Sequence, residues 1–171
     1  MKRIAVWLYQ VYAWLIFFPL GFLLTLVCGW TTVVVASIWS PRVASRYIAA
    51  NWARMMCLLT PVWGTVEGAQ NADPLKTYVV VCNHQSQYDI FLVYGWLKLD
   101  LKWVLKAEMR KIPGLGIGCE KAGHIYVDRS NPELARKAVR DALDSVGDGV
   151  GVLFFPEGTR SLTGKMGSFK K

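Results

Sequence analysis

Apolar positions along this chain follow two regimes. From Ile4 to Pro41, 38 consecutive residues carry no charge, and beyond Pro61 shorter apolar blocks alternate with turn residues. As one helix the first run would measure about 57 Å at 1.5 Å per residue, against roughly 30 Å for the hydrocarbon core of a bilayer. Pro19-Leu20-Gly21 lies inside the run and predicts a break, leaving arms at Ile4–Phe18 and Phe22–Pro41. Lys2 and Arg3 precede the run, and Arg42, Arg46 and Arg54 follow it. Basic flanks stay on the cytoplasmic side, so the pattern predicts a helical hairpin that dips into one leaflet and returns. A single tilted span and two short spans are the alternatives. The run is longer than the apolar region of a secretory signal, about 7–15 residues, which argues against that reading.

Arg42–Thr60 keeps helical character until Pro61 closes it. Its arginines share one broad arc, which suits a helix lying on an anionic membrane surface or one with arginines in water. After Pro61, Val62–Glu67, Thr77–Cys82, Leu101–Leu105 and Val150–Phe155 read as strands, with Ile125–Val127 a shorter candidate. Thr77–Cys82 and Val150–Phe155 are apolar on successive residues, as in strands buried on both faces. A helix is predicted from about Gln87 to Leu97. Another starts at Asn131, with Asn131 as its cap, Pro132 in the first position, and Leu134, Ala138, Ala142 and Val146 as its apolar stripe. Strands alternating with helices imply an α/β fold: a mixed sheet flanked by helices, preceded by the membrane-embedded hairpin. The chain then divides into a membrane-associated helical segment, 1–60, and an α/β domain, 61–171.

Composition sharpens this picture. With 53% apolar, 13% aromatic and 19% charged residues, disorder is excluded and membrane contact favoured. Twenty basic against twelve acidic residues leave a net charge of +8, so the partner is an anion: acidic lipid or a phosphorylated substrate. No nucleic-acid motif is present, and part of the positive charge flanks the apolar run. Cys28, Cys57, Cys82 and Cys119 lack metal-ligand spacing and read as structural filler.

Three clusters carry candidate chemistry. In the first, Asn83-His84-Gln85-Ser86-Gln87-Tyr88-Asp89 follows an apolar strand, and Ser86-x-x-Asp89 has the form of a capping box. His84 then sits in a strand-to-helix loop, and Asp89 can fold back onto its ring. A carboxylate on one ring nitrogen fixes the tautomer and leaves the other free to accept a proton. The second cluster is Gly123-His124-Ile125-Tyr126-Val127-Asp128-Arg129. The third, Phe155-Pro156-Glu157-Gly158-Thr159-Arg160, also follows a strand, where α/β sheets commonly place their ligands. Arg129 and Arg160 can clamp a phosphate through paired N–H donors.

In order and spacing the three clusters resemble the glycerolipid acyltransferases, and most closely the bacterial 1-acyl-sn-glycerol-3-phosphate acyltransferases. Asn83, His84 and Asp89 match an Asn-His-x4-Asp block. Gly123, Ile125 and Arg129 match Gly-x-Ile-x-x-x-Arg, and Phe155 to Arg160 match Phe-Pro-Glu-Gly-Thr-Arg. Lys106-Ala107-Glu108, Pro113 and Gly116 are similar to the intervening stretch. Relative to that family, a fourth block around a Val-Pro pair is absent from the sequence, which implies a sheet incomplete at its carboxyl end. The resemblance implies transfer of a fatty acyl group from coenzyme A or acyl carrier protein, as co-substrate, to the sn-2 hydroxyl of lysophosphatidic acid. It implies His84 and Asp89 as catalytic residues and Lys106, Arg129, Glu157, Gly158, Thr159 and Arg160 as substrate-binding residues, with no bound cofactor or metal. It further implies an enzyme of the inner membrane working on its cytoplasmic face.

Rival readings are few. Gly158 to Lys165 mimics a phosphate-binding loop, but five residues separate its glycines and Met166 stands where Ser or Thr belongs. A Cys82/His84 pair would put its thiol inside an apolar run. Lys98, Lys102, Lys106 and Arg110 repeat at helical spacing across a segment that reads as a strand. A metal-dependent hydrolase using His84, Asp89 and His124, and a non-catalytic lipid-binding module, are the two functional alternatives.

Overall fold

The protein, as a computed structural model, is described over residues 2–128, 130–145 and 147–169. Its centre is a sheet of β1 (Val79–Val81), β2 (Asp100–Lys106), β3 (Ile125–Val127) and β4 (Val150–Phe154), in the order β1-β4-β2-β3. Every pairing among the described residues is parallel, with Val79 beside Val152, Trp103 beside Leu153 and Val104 beside Ile125. The sheet is therefore parallel where a mixed one was expected. The reason is connectivity: helices lie between successive strands, and such crossovers return the chain in the same direction. These helices are α5 (Tyr88–Trp96), α6 (Leu115–Lys121) and α7 (Pro132–Ser145).

Burial differs between the strands: edge strand β3 keeps Ile125 and Val127 buried beneath a helix. Residues 150–153 of β4 are buried between two neighbours. β1 is at the edge, and Val79 and Val81 stand 63% and 57% exposed, so this strand is not covered on both faces as its apolar run predicted. Val62–Glu67, expected as a strand, has no ladder partner. Gly64 instead packs on Leu92 and Trp96 of α5.

Helices cover both faces of the sheet. On one, Leu101, Trp103 and Leu153 pack with Phe91 and Tyr94 of α5 and with Ala53, Met56 and Cys57. On the other, Ile125, Val127 and Val152 meet Ala135, Ala138, Val139 and Ala142 of α7. The stripe of α7 is thus rotated from the one expected: Ala138 and Ala142 face the sheet, but Leu134 is exposed, and Val146 lies outside the described residues. Asn131 caps this helix as predicted, its side-chain oxygen accepting from Glu133 and Leu134 amides at 3.2 and 3.1 Å.

The apolar run forms α1 (Lys2–Tyr12), a π-helical stretch at Ala13–Phe17, and α2 (Phe18–Ile38), with right-handed helical backbone at both junctions. No reversal occurs at Pro19-Leu20-Gly21. Proline lacks the N–H that would reach back to Leu15, and the wider π turn just before it accommodates that loss within a continuous helix. The chain reverses at Trp39–Ser40 instead, where Ser40 is extended and accepts the Val43 amide at 3.1 Å. From there α3 (Pro41–Val43), a second π stretch (Ala44–Ala49) and α4 (Ala50–Leu58) run back along α2. The Tyr12 hydroxyl donates to the Leu59 carbonyl near the far end. Arg42 and Arg54 both find polar partners in the α/β part. Arg42 bonds the Asp148 carbonyl and pairs with Asp100, and Arg54 donates to the Gly95 carbonyl at 2.7 Å.

α2 and α6 meet glycine on glycine. A Cβ at Gly29 would fall on the Gly114 carbonyl, and one at Gly118 would stand 3.0 Å from the Gly29 Cα. Gly114 also has φ near +72°, a region that favours glycine. Gly29→Val is therefore expected to cost about 1–3 kcal/mol through overpacking, read as a lower denaturant midpoint in detergent.

Candidate active site

The cleft lies where the strands end. β1 runs into Asn83-His84, β2 into Lys106 and β4 into Phe155, so the parallel sheet delivers all three to one edge. His84, Gln87, Trp103, Lys106, Gly158, Thr159 and Arg160 line a cleft of about 310 Å³.

His84 is held by both its ring and its backbone. Nδ1 stands 2.8 Å from Asp89 Oδ2. That same oxygen accepts the Gln85 and Ser86 amides at 2.6 and 2.8 Å, while Ser86 Oγ accepts from the Tyr88 amide at 2.8 Å. Half of the predicted capping box thus forms: Asp89 reaches back to the Ser86 amide, but Ser86 Oγ bonds the amide of Tyr88 instead of that of Asp89, and the helix proper starts after Gln87. An oxygen already receiving two amide protons is a carboxylate acceptor, so Nδ1 donates to it and Nε2 is the nitrogen left to take up a proton. Phe155 stacks on the imidazole, with centroids 3.9 Å apart and planes 16° from parallel. One face of the ring is closed, and Nε2 makes no hydrogen bond among the described residues.

Lys106 and Arg160 are exposed and face the same cleft. Two basic side chains beside an imidazole whose Nε2 is open make a site for an anion next to a group to be deprotonated. Glu157 departs from its expected role as a substrate contact. It does not line the cleft, and its two oxygens accept the His84 and Gly167 amides at 2.7 Å each. Those amide bonds, His84's first, hold its carboxyl below the usual carboxylate range. Arg129 lies outside the described residues.

His124 sits elsewhere, buried between sheet and helices. The Trp103 amide can only donate, so His124 Nδ1 accepts it at 3.3 Å, leaving Nε2–H to donate to the Tyr94 hydroxyl at 3.3 Å. Tyr94 in turn meets Ser45 at 2.8 Å. Burial, reinforced by Lys102, pushes the imidazole down to about 3. Among the described residues no three His, Cys, Asp or Glu side chains are grouped to hold a metal ion. Cys82 is raised by burial and by the nearby Asp89 charge, which disfavours a nucleophilic thiolate. Lys102 is likewise buried within β2, bonding Asp100 and the Ala122 carbonyl at 3.1 and 2.9 Å.

Residues without a predicted role complete the site. Phe155, Trp103 and Gln87 line the cleft, and the Ser161 amide donates to the His84 carbonyl at 2.8 Å. Only the β1–β4 pairing, with Cys82 donating to the Phe154 carbonyl at 3.1 Å, brings residues 84 and 155 side by side.

Residues 64–171 match the family model described as Acyltransferase. The chain is 35% identical over 150 residues to a 1-acyl-sn-glycerol-3-phosphate acyltransferase of Pseudomonas aeruginosa, covering 85% of this chain and 58% of that protein. It is 34% identical over 165 residues to one of Chlamydomonas reinhardtii, covering 92% of this chain and 48% of that protein. The chain thus spans about half the length of these curated relatives. The solved structure of the 1-acyl-sn-glycerophosphate acyltransferase PlsC from Thermotoga maritima superposes with a TM-score of 0.77 at 27% identity, covering the whole of this chain and 68% of that one.

Proposed function

Because the chain belongs to the acyltransferase family, we propose that it transfers a fatty acyl group from a thioester to the sn-2 hydroxyl of lysophosphatidic acid, giving phosphatidic acid. The relatives' names support the acceptor. The observation that carries the chemistry is the 2.8 Å His84–Asp89 contact at the rim of a cleft that also holds Lys106 and Arg160.

An alcohol is a weak nucleophile and must lose its proton as it attacks. His84 Nε2 takes that proton, the oxygen bonds to the thioester carbonyl carbon, and the carbon–sulfur bond breaks. The proton then passes from imidazolium to the departing thiolate. Asp89 holds the ring and stabilises the imidazolium. A thiolate leaves readily, so the step needs no covalent acyl-enzyme. Lys106 and Arg160, with Arg129, bind the acceptor's phosphate, and Gly158 and Thr159 shape the wall beside it. Coenzyme A or acyl carrier protein serves as the acyl carrier and leaves as the free thiol; no resident cofactor or metal takes part.

The described chain has one helical run, Arg3–Ile38, long and apolar enough to cross a membrane. We assign residues 1–60 to membrane association and 61–171 to catalysis, at the cytoplasmic face of the inner membrane, where the lipid acceptor already resides. An assay of acyl transfer across several lysophospholipids tests the reading. Lysophosphatidic acid should be preferred, and no transfer to any acceptor would overturn it. Arg160→Ala is expected to raise KM for the phosphorylated acceptor. A fall in kcat alone would instead make Arg160 a transition-state contact.

A further inference from the structure

Glu157 is 4% exposed and holds two loops together. Its Oε1 accepts the His84 amide and its Oε2 the Gly167 amide, both at 2.7 Å. The His84 carbonyl accepts the Ser161 amide at 2.8 Å. Both backbone polar atoms of His84 are therefore held by the third cluster and the loop after it. The same carboxylate closes the stretch between 157 and 167, which carries Gly158, Thr159 and Arg160 to the cleft. Asp89 and Phe155 fix how the imidazole is turned. Neither sets how far it stands from Arg160.

We propose that Glu157 is a positioning residue: it contacts no substrate, and by bridging the His84 and Gly167 amides it sets the spacing between the base and the phosphate-binding arginine. This rests on the reading of His84 as general base. The chemistry requires two acceptor oxygens. Glutamine offers one, and its NH2 group would meet the other amide donor to donor. Aspartate lacks the length to span both.

The test is Glu157→Gln in the full chain, in detergent or vesicles. Misplacement of a reacting group by about 1 Å can cost about 100-fold. The expected result is a kcat lower by about 10- to 100-fold, with KM for lysophosphatidic acid changed by less than about twofold. Amide hydrogen exchange at His84 and Gly167 should accelerate. A raised KM with unchanged kcat would make Glu157 a substrate contact and overturn the proposal, as would unchanged exchange at both amides. Gly167→Ala is a milder second variant outside the cleft. Its Cβ would stand 3.1 Å from Glu157 Oε2, and it should lower kcat several-fold at constant KM if spacing is what matters. If the wild-type protein acylates no acceptor, the functional reading falls, while the exchange measurement still decides whether the bridge exists.

Discussion

His84→Ala is expected to lower acyl transfer by about 10²–10⁴-fold, the usual contribution of a positioned base, while membrane association and fold persist. The side chain is part-buried at the end of β1 and makes one polar contact, to Asp89. Its removal leaves Asp89 its two amide donors, so the loop keeps its cap. Among the described residues the cleft's other charged groups are Lys106 and Arg160. A guanidinium does not deprotonate in proteins, so Arg160 does not replace the lost base. Turnover of labelled acyl donor should be followed beside vesicle co-sedimentation. Wild-type turnover in a folded His84→Ala protein would place the base elsewhere.

Asp89→Asn should be nearly as damaging, by about 10²–10⁴-fold in kcat, and for a different reason. The carboxylate oxygen takes three donors: Nδ1–H and the Gln85 and Ser86 amides. An asparagine oxygen in the place of Oδ2 keeps all three donors, and its NH2 lies on the other side; what is lost is the negative charge that stabilises the imidazolium formed when Nε2 takes the substrate's proton. The weakened cap also costs about 1 kcal/mol of stability. The discriminating measurement is the split of effects. kcat should collapse while KM for the acceptor stays within about twofold. A change confined to KM would mean that Asp89 binds substrate.

Much of this site is legible in the sequence because its chemistry is local. Asn83 to Asp89 is a single turn, and a carboxylate three residues after Ser86 has few places to go except back to the loop. Asn131-Pro132 marks the start of α7 for the same reason. What depends on distant packing is not legible. The apolar residues of β1 suit an interior strand, and only the order β1-β4-β2-β3 makes it an edge. Pro19 reads as a break because nothing in the sequence announces the π turn that absorbs it. Glu157 stands among residues that face the cleft, and its partner amides lie 73 and 10 positions away. No spacing rule connects them.

The contact of Gly29 with Gly114 and Gly118 has a mechanical meaning. Two backbones touching without side chains between them leave no compliant layer to slide or shear. A tilt imposed on the apolar rod is passed to α6 as a lever passes torque. The angle between that rod and the helix beside the sheet is then set at that joint.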